Sequence, residues 1–408
     1  MRMGVSEVAL RIALSTSPLP PASTISLLSD LRLIPSAKIV KKYLEDPDMV
    51  KEDEKKRLSK WLKAVIEEAR EDSLAGKSIR IEKGLRRSLS RLELMPSLLE
   101  YHISQLFDIT ISLFTVVPTL LMSLVMIVDP RSVPLIMLLC SGLGTIVVVL
   151  LSILKVPNEI KYPRPPVLLQ VGSALAVGVL PILYNLWGYE MIPIPIVVTS
   201  IASILCMLYK RRRDMEIEDA GECIDRAMKM PWNIPHAVGF EDPEEICSRL
   251  WWGLPLATSW TLVTTAFGGR EAEKALKKLK RYYELLVSLI ERIRSRAKLM
   301  FYYSIFNTLL CASCLAIVIS IMGIFTKIPV GMSGLPMPLT FPTQDDIAIC
   351  ELSSIVLLCM ISLALSISTA SLIDFNYSYF PKYVPLLLGA SILIFRITLV
   401  WMRKFMGL

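Results

Sequence analysis

Seven apolar runs, at residues 109–128, 134–154, 167–187, 192–209, 299–325, 347–373 and 384–402, are each long enough to cross a hydrocarbon core of about 30 Å. That feature constrains the fold more than any other. A backbone exposed to lipid must satisfy its own hydrogen bonds, and a single run of this length does so only as a helix. The run at 192–209 is the shortest and carries Pro193 and Pro195 near its start, so six spans with one re-entrant segment is the other arrangement the sequence allows. The expected class is all-α: a polytopic membrane protein with about seven transmembrane helices and two cytoplasmic helical bundle domains.

Composition sets the second limit. The 408 residues are 53% hydrophobic with a mean hydropathy of +0.53, yet 20% of them are charged, so the chain needs both lipid and water. The charges concentrate in two blocks, which gives an order of four parts: soluble residues 1–107, four spans in 108–209, soluble residues 210–298, and three spans in 299–408. Lysine and arginine are retained on the cytoplasmic side during insertion. An inside N-terminus keeps 40 of the 45 there, leaving Arg131, Lys327, Arg403 and Lys404 outside and Arg396 within a span. The expectation is a multi-pass protein of the cell (cytoplasmic) membrane with its N-terminus in the cytoplasm. The net charge of +8 then reads as a topology signal and an attraction to lipid headgroups, not as a nucleic-acid footprint.

Glu7 and Arg11 interrupt the first apolar stretch, so no cleavable signal peptide is expected. Of eight cysteines, six fall in the apolar runs and Cys223 and Cys247 face a reducing compartment, which implies no disulfide framework. The soluble parts read as helical. Thr24 and Ser36 are expected N-caps, and Leu58, Leu62, Val65 and Ala69 share one helical face.

Gly268 and Gly269 open a stretch that is crowded with charge and then turns apolar, with no further proline or glycine before Gly323. Ala272, Leu276, Leu279, Tyr283, Leu286, Ile290, Ile293 and Ala297 recur at alternating steps of four and three, a heptad seam. The seam serves either an intramolecular bundle core or a dimer interface. Its water-side part, residues 270–298, would extend about 45 Å as a helix. Lys274, Lys277, Lys278 and Arg281 lie on a basic face that is either solvated or a dock for an acidic partner. Arg292, Arg294, Arg296 and Lys298, next to the apolar run, are expected membrane-surface anchors.

Residues with the spacing of an active site are missing. "EDSLAGKSIR" ends like a phosphate-binding loop, but Glu71 stands where the first glycine belongs, so Gly76 reads instead as a helix C-cap. His102 and His236 are far apart in the sequence, and Cys311 and Cys314 sit in an apolar run where small residues pack helices. No catalytic, cofactor-binding or metal-binding residues are expected. Glu351 and Arg396 are ionisable groups inside predicted spans at similar depth, and they suggest an intramembrane ion pair, a transport role, or two side chains snorkelling separately.

The stretch "TTAFGGREAEKALKKLKRYYELLVSLIERIRSRAKLMFYYSIFNTLLCASCLAIVISIMG" resembles the type II secretion F-domain proteins, the membrane platform proteins of type IV pili, archaella and Tad-type pili. The features shared are a small-residue, double-glycine start, a long basic amphipathic helix, and direct entry into a span. The order of soluble helices and spans resembles the archaeal branch of that family. The resemblance implies a non-enzymatic scaffold without cofactors, a homodimer beneath a growing pilus. Its cytoplasmic helices would contact a separate hexameric secretion or assembly ATPase and couple it to extraction of pilin subunits from membrane lipids. "MPWNIPHAVGFEDPEEICSRLWWGLPLATSW" departs from the pattern, being rich in proline and tryptophan that serve either a local core or a partner surface. A membrane transporter, a lipid-modifying membrane enzyme and a membrane anchor for another cytosolic complex are the alternatives.

Overall fold

A computed structural model of the chain describes residues 7–34, 36–124, 132–152, 161–326 and 342–406. Arg131 and Lys327, expected in outer loops, lie outside these residues. Every element described is helical. In chain order these are α1 (Glu7–Thr16), α2 (Pro21–Asp30), α3 (Ala37–Glu45), α4 (Glu52–Arg57), α5 (Lys60–Leu74) and α6 (Ile79–Glu93). There follow α7 (Met95–Ile111), α8 (Val117–Ser123), α9 (Ser132–Ser152), α10 (Val167–Trp187) and α11 (Pro193–Lys229). The series ends with α12 (Ile234–Val238), α13 (Pro243–Arg249), α14 (Gly253–Ala266), α15 (Ala272–Phe325), α16 (Gln344–Ile373) and α17 (Val384–Phe405). Seven helical segments are long and apolar enough to cross a membrane, which makes this an all-α polytopic membrane architecture. The segment with Pro193 and Pro195 is among them: both prolines stand in the first turn of α11, where a missing N–H costs nothing.

The chain divides into two units. The first holds residues 7–96 of α1–α6 with their links, residues 161–163, and residues 211–293; the second holds 97–152, 164–210 and 294–406.

At the centre of the first unit, α1 is buried from Val8 to Thr16 and α14 from Gly253 to Thr265. Helices apolar on all sides belong inside a bundle, and these two pack on each other. Their hydroxyls bond within the core: Thr16 Oγ1 lies 3.2 Å from Thr261 Oγ1, and Thr261 donates to the Ala257 carbonyl at 2.9 Å. Arg11 on α1 is 4% exposed, which its charge permits because its guanidinium pairs with Glu7 at 2.9 Å and with both carboxylate oxygens of Glu68. Gly84 makes room for it, since a Cβ there would lie 1.9 Å from Arg11 Nη1. The two charges that argued against a signal peptide thus belong to a core ion pair.

Leu62, Val65 and Ala69 are buried on α5 as their spacing predicts; Leu58 is buried too, but at the extended residue that ends α4, so the expected single helix is interrupted there. Gly76, with φ +65°, closes α5, and the Asp72 carboxylate turns back to accept from the backbone N–H groups of Arg80 and Ile81 at 3.0 and 2.9 Å. "AGKS" is therefore the hinge of a helical hairpin. The expected caps differ. Ser36 precedes α3 with a left-handed backbone and no side-chain capping bond, while Thr24 lies inside α2 because Pro21 starts that helix a turn earlier. In the Pro- and Trp-rich stretch, Trp260 is fully buried and Trp252 Nε1 donates to Glu216 at 2.6 Å, so these two are core; Trp232 is 79% exposed.

In the second unit α16 is the central span, with α9, α10 and α17 packed on it. Its serines lock neighbours together: Ser371 donates to the Ser152 carbonyl of α9 at 2.6 Å, and Thr369 Oγ1 lies 2.9 Å from Ser304 Oγ of α15. Outward-facing Leu139, Leu143, Leu150, Leu168, Leu175, Ile182, Ile201, Leu208, Leu393 and Ile397 are all more than half exposed. A belt of that kind is stable only against lipid. The first span contains a π-helical turn at Ser112–Val116 just before Pro118. Pro118 offers no N–H to the Phe114 carbonyl four residues back, and the Cys311 thiol of α15 donates to that carbonyl at 2.9 Å. Cys311 thus joins two spans.

Candidate functional site

Helix α15 is the element from which function is most directly argued. It runs unbroken for 54 residues, Ala272–Phe325, with residues up to Ile293 in the first unit and those from Arg294 in the second. At 1.5 Å per residue this is about 80 Å of continuous helix. Residues 297–303, where a hinge would separate its charged and apolar halves, are regular helix. Gly269, with φ +57°, sets the turn that starts it.

The heptad seam is buried within the molecule. Leu276, Leu279, Leu286, Ile293 and Ala297 are at most 2% exposed, and Leu286 and Ile290 face Val8, Ala9, Ile12, Leu254 and Ala257. Tyr283 donates its hydroxyl to the Ile217 carbonyl of α11 and lies against Gly221, where a Cβ would be 3.1 Å from its ring. The seam accordingly belongs to a bundle core and not to a dimer interface.

The basic face divides into two groups. Lys274 and Arg281 are exposed, and Lys277, also exposed, pairs with Glu273 one turn earlier at 2.6 Å. Lys278 differs from the expectation: its ammonium donates to the Ser15 carbonyl at the end of α1, at 2.7 Å, and pairs with Glu82 of α6. It is an internal tie, because a lysine stem is long enough to reach across the seam to the end of a buried helix. Of the anchor series, Arg292 and Lys298 are exposed, Arg296 pairs with Glu100 of α7, and Arg294 is half-buried in the field of Asp374.

Sequence spacing missed a polar cluster in the second unit. Asp374, fully buried at the end of α16, pairs with Lys210 of α11, with Lys382 at 3.5 Å, and accepts from the Tyr383 hydroxyl at 2.8 Å. Lys382 Nζ also donates to Tyr383 Oη at 3.1 Å, while its carbonyl accepts from Ser203 of α11 at 2.8 Å. Burial draws the Lys382 ammonium below its ordinary value, an effect that Asp374 opposes, and burial together with Asp374 pushes the Tyr383 phenol well up. The turn that carries these groups is tight: Phe375 is buried at φ +52°, and the Asn376 side chain accepts from Ser378 N at 3.1 Å. A bulky residue in the left-handed region is costly, of order 1–3 kcal/mol, so surrounding contacts must hold it there. The one sequence signal was an acid directly after an apolar run, with lysines ending one run and preceding another.

At the opposite ends of the same spans, the expected Glu351–Arg396 pair is not formed. Glu351 instead pairs with Arg403 of α17 and accepts from the Tyr184 hydroxyl at 3.2 Å, while Arg396 lies over the Tyr189 ring with its guanidinium carbon 4.9 Å from the centroid. Arg396 and Arg403 share one helical face but stand two turns, about 10 Å, apart, and the depth match made from the sequence selected the wrong one of the two.

Among the described residues no group of histidine, cysteine and carboxylate side chains has metal-binding geometry. Compared with protein-family models, curated proteins and solved structures, the chain matches none, and a function must be argued from its own geometry.

Proposed function

We propose that this chain is the membrane platform protein of a type IV pilus-like filament assembly machine, of the type II secretion F-domain kind seen in its archaeal branch. In this reading the N-terminus and the first unit lie in the cytoplasm, and the exposed Lys274, Lys277 and Arg281 face meets an acidic surface on a hexameric assembly ATPase. The ATPase cycle moves α15, and α15 moves the spans against which pilin subunits leave the membrane and enter the filament. No chemistry is assigned to the chain itself, and a homodimer supplies the platform. The observation that carries this reading is the helical continuity of α15 through residues 297–303, since a stiff rod passes on a push or rotation that a flexible linker would dissipate.

The transport alternative looks to Glu351 and Arg396, which are engaged by Arg403 and Tyr189 at the span ends. Affinity purification of the full chain from its native membrane tests the proposal. The expected result is recovery of a secretion-type ATPase, reduced severalfold by the double replacement Lys274→Glu and Arg281→Glu. Consistent absence of such an ATPase, together with solute transport by the purified chain in liposomes, would overturn it.

A further inference from the structure

Beside the Asp374 cluster the second unit has an open groove of about 690 Å³, within the roughly 300–1,000 Å³ usual for small-ligand sites. Four spans and one turn build it, α16 through its last residue Ile373. Ile204 and Met207 come from α11, Phe301 and Tyr302 from α15, Leu386 from α17, and Lys298 and Lys382 supply its polar end. Ile204, Met207, Tyr302 and Leu386 are each about half exposed or more, so the apolar wall opens sideways along the spans. Phe301 is held against Tyr383, ring centroids 5.6 Å apart, which fixes the floor next to the buried charges.

The charge balance favours an anion. Lys382 shares the Asp374 carboxylate with Lys210. The groove wall itself carries two lysines and, among the described residues, no carboxylate. A cationic end joined to an apolar trough at the level where spans begin and end matches an amphiphile with a negative head, not a soluble ion and not a neutral lipid. We propose that this groove binds one anionic phospholipid, its phosphate held between Lys298 and Lys382 and one acyl chain laid along Ile204, Phe301 and Leu386. The lipid would wedge α11, α15 and α17 at the start of the apolar part of α15. The proposal concerns the second unit alone and stands whether or not an ATPase docks on the first.

The test uses the full chain in nanodiscs holding equal amounts of phosphatidylglycerol and phosphatidylcholine with identical acyl chains, read by native mass spectrometry after gentle release. One phosphatidylglycerol per chain is expected to stay bound, enriched roughly tenfold over phosphatidylcholine. Lys298→Glu, at an exposed position, should abolish the enrichment, and Lys298→Gln should weaken it. Ile204→Trp, which fills the trough and leaves the lysines in place, should also abolish it; inorganic phosphate at millimolar concentration should displace nothing. Equal retention of the two lipids by the unaltered chain would overturn the proposal. So would undiminished enrichment in both Lys298 variants, and so would displacement by inorganic phosphate, which would mark a simple anion site.

Discussion

Asp374→Leu is expected to destabilise the second unit by about 3–5 kcal/mol, because it leaves buried cations without their counter-ion. The carboxylate is fully buried and serves Lys210, Lys382 and the Tyr383 hydroxyl together. Removing it takes a counter-charge from two ammonium groups whose side chains are only 13% and 19% exposed. Water reaches these side chains only in part, Lys382 from the groove it lines, and solvating them fully would disrupt the contacts of α11, α16 and α17. Thermal unfolding in detergent, followed by helix content, measures the loss. The triple replacement Asp374→Leu, Lys210→Met and Lys382→Met should recover much of it, since exchanging a whole buried charge cluster for apolar groups of similar size is often neutral or better. An unchanged unfolding temperature in Asp374→Leu would show that the cluster is solvated and not buried.

Under the proposed platform function, Leu286→Pro is expected to abolish filament assembly. A proline at this position removes the N–H that closes the turn onto Tyr282 and drives its ring against that carbonyl, at a cost of about 3 kcal/mol or more. Because Leu286 is 2% exposed and faces Val8, Ala9 and Leu254, the same replacement also loses packing. Leu286→Ala separates the two effects. It should lower stability by about 2–5 kcal/mol through the cavity it leaves, yet keep the helix continuous and the filaments present. Counting filaments per cell by electron microscopy distinguishes the variants. Normal numbers in Leu286→Pro would remove mechanical coupling from the account.

Much of the fold was legible in the sequence because lipid allows few solutions. Apolar runs of eighteen or more residues in lipid become helices, and the heptad from Ala272 to Ala297 announced the buried stripe of α15, of which Tyr283 is the half-buried member. What spacing could not give was the choice among similar partners. Glu351 had two arginines within reach on one face of α17, and packing selects Arg403 while Tyr189 takes Arg396. Lys278 looked like its neighbours on a basic face, but its ammonium reaches the Ser15 carbonyl at the end of α1. Helix α1 was read mainly for what its charges excluded, because an Arg11–Glu68 pair joins residues 57 positions apart and leaves no local signature. The continuity of α11 past Lys210 was similarly hidden behind the change from apolar to charged residues, although no proline or glycine interrupts residues 196–220. The Asp374 cluster joins two separated stretches of chain, residues 203–210 and 374–383, and only the packed spans bring them together.

The central claim is that α15 is one rigid rod from its charged half into its apolar half. Spin labels at the exposed positions Lys277 and Tyr302, with the chain in lipid nanodiscs, test it directly by pulsed electron paramagnetic resonance. Twenty-five residues of uninterrupted helix predict a single narrow distance near 37 Å, at about 1.5 Å per residue. A broad distribution, or a mean many ångströms shorter, would place a joint between the labels and contradict the account.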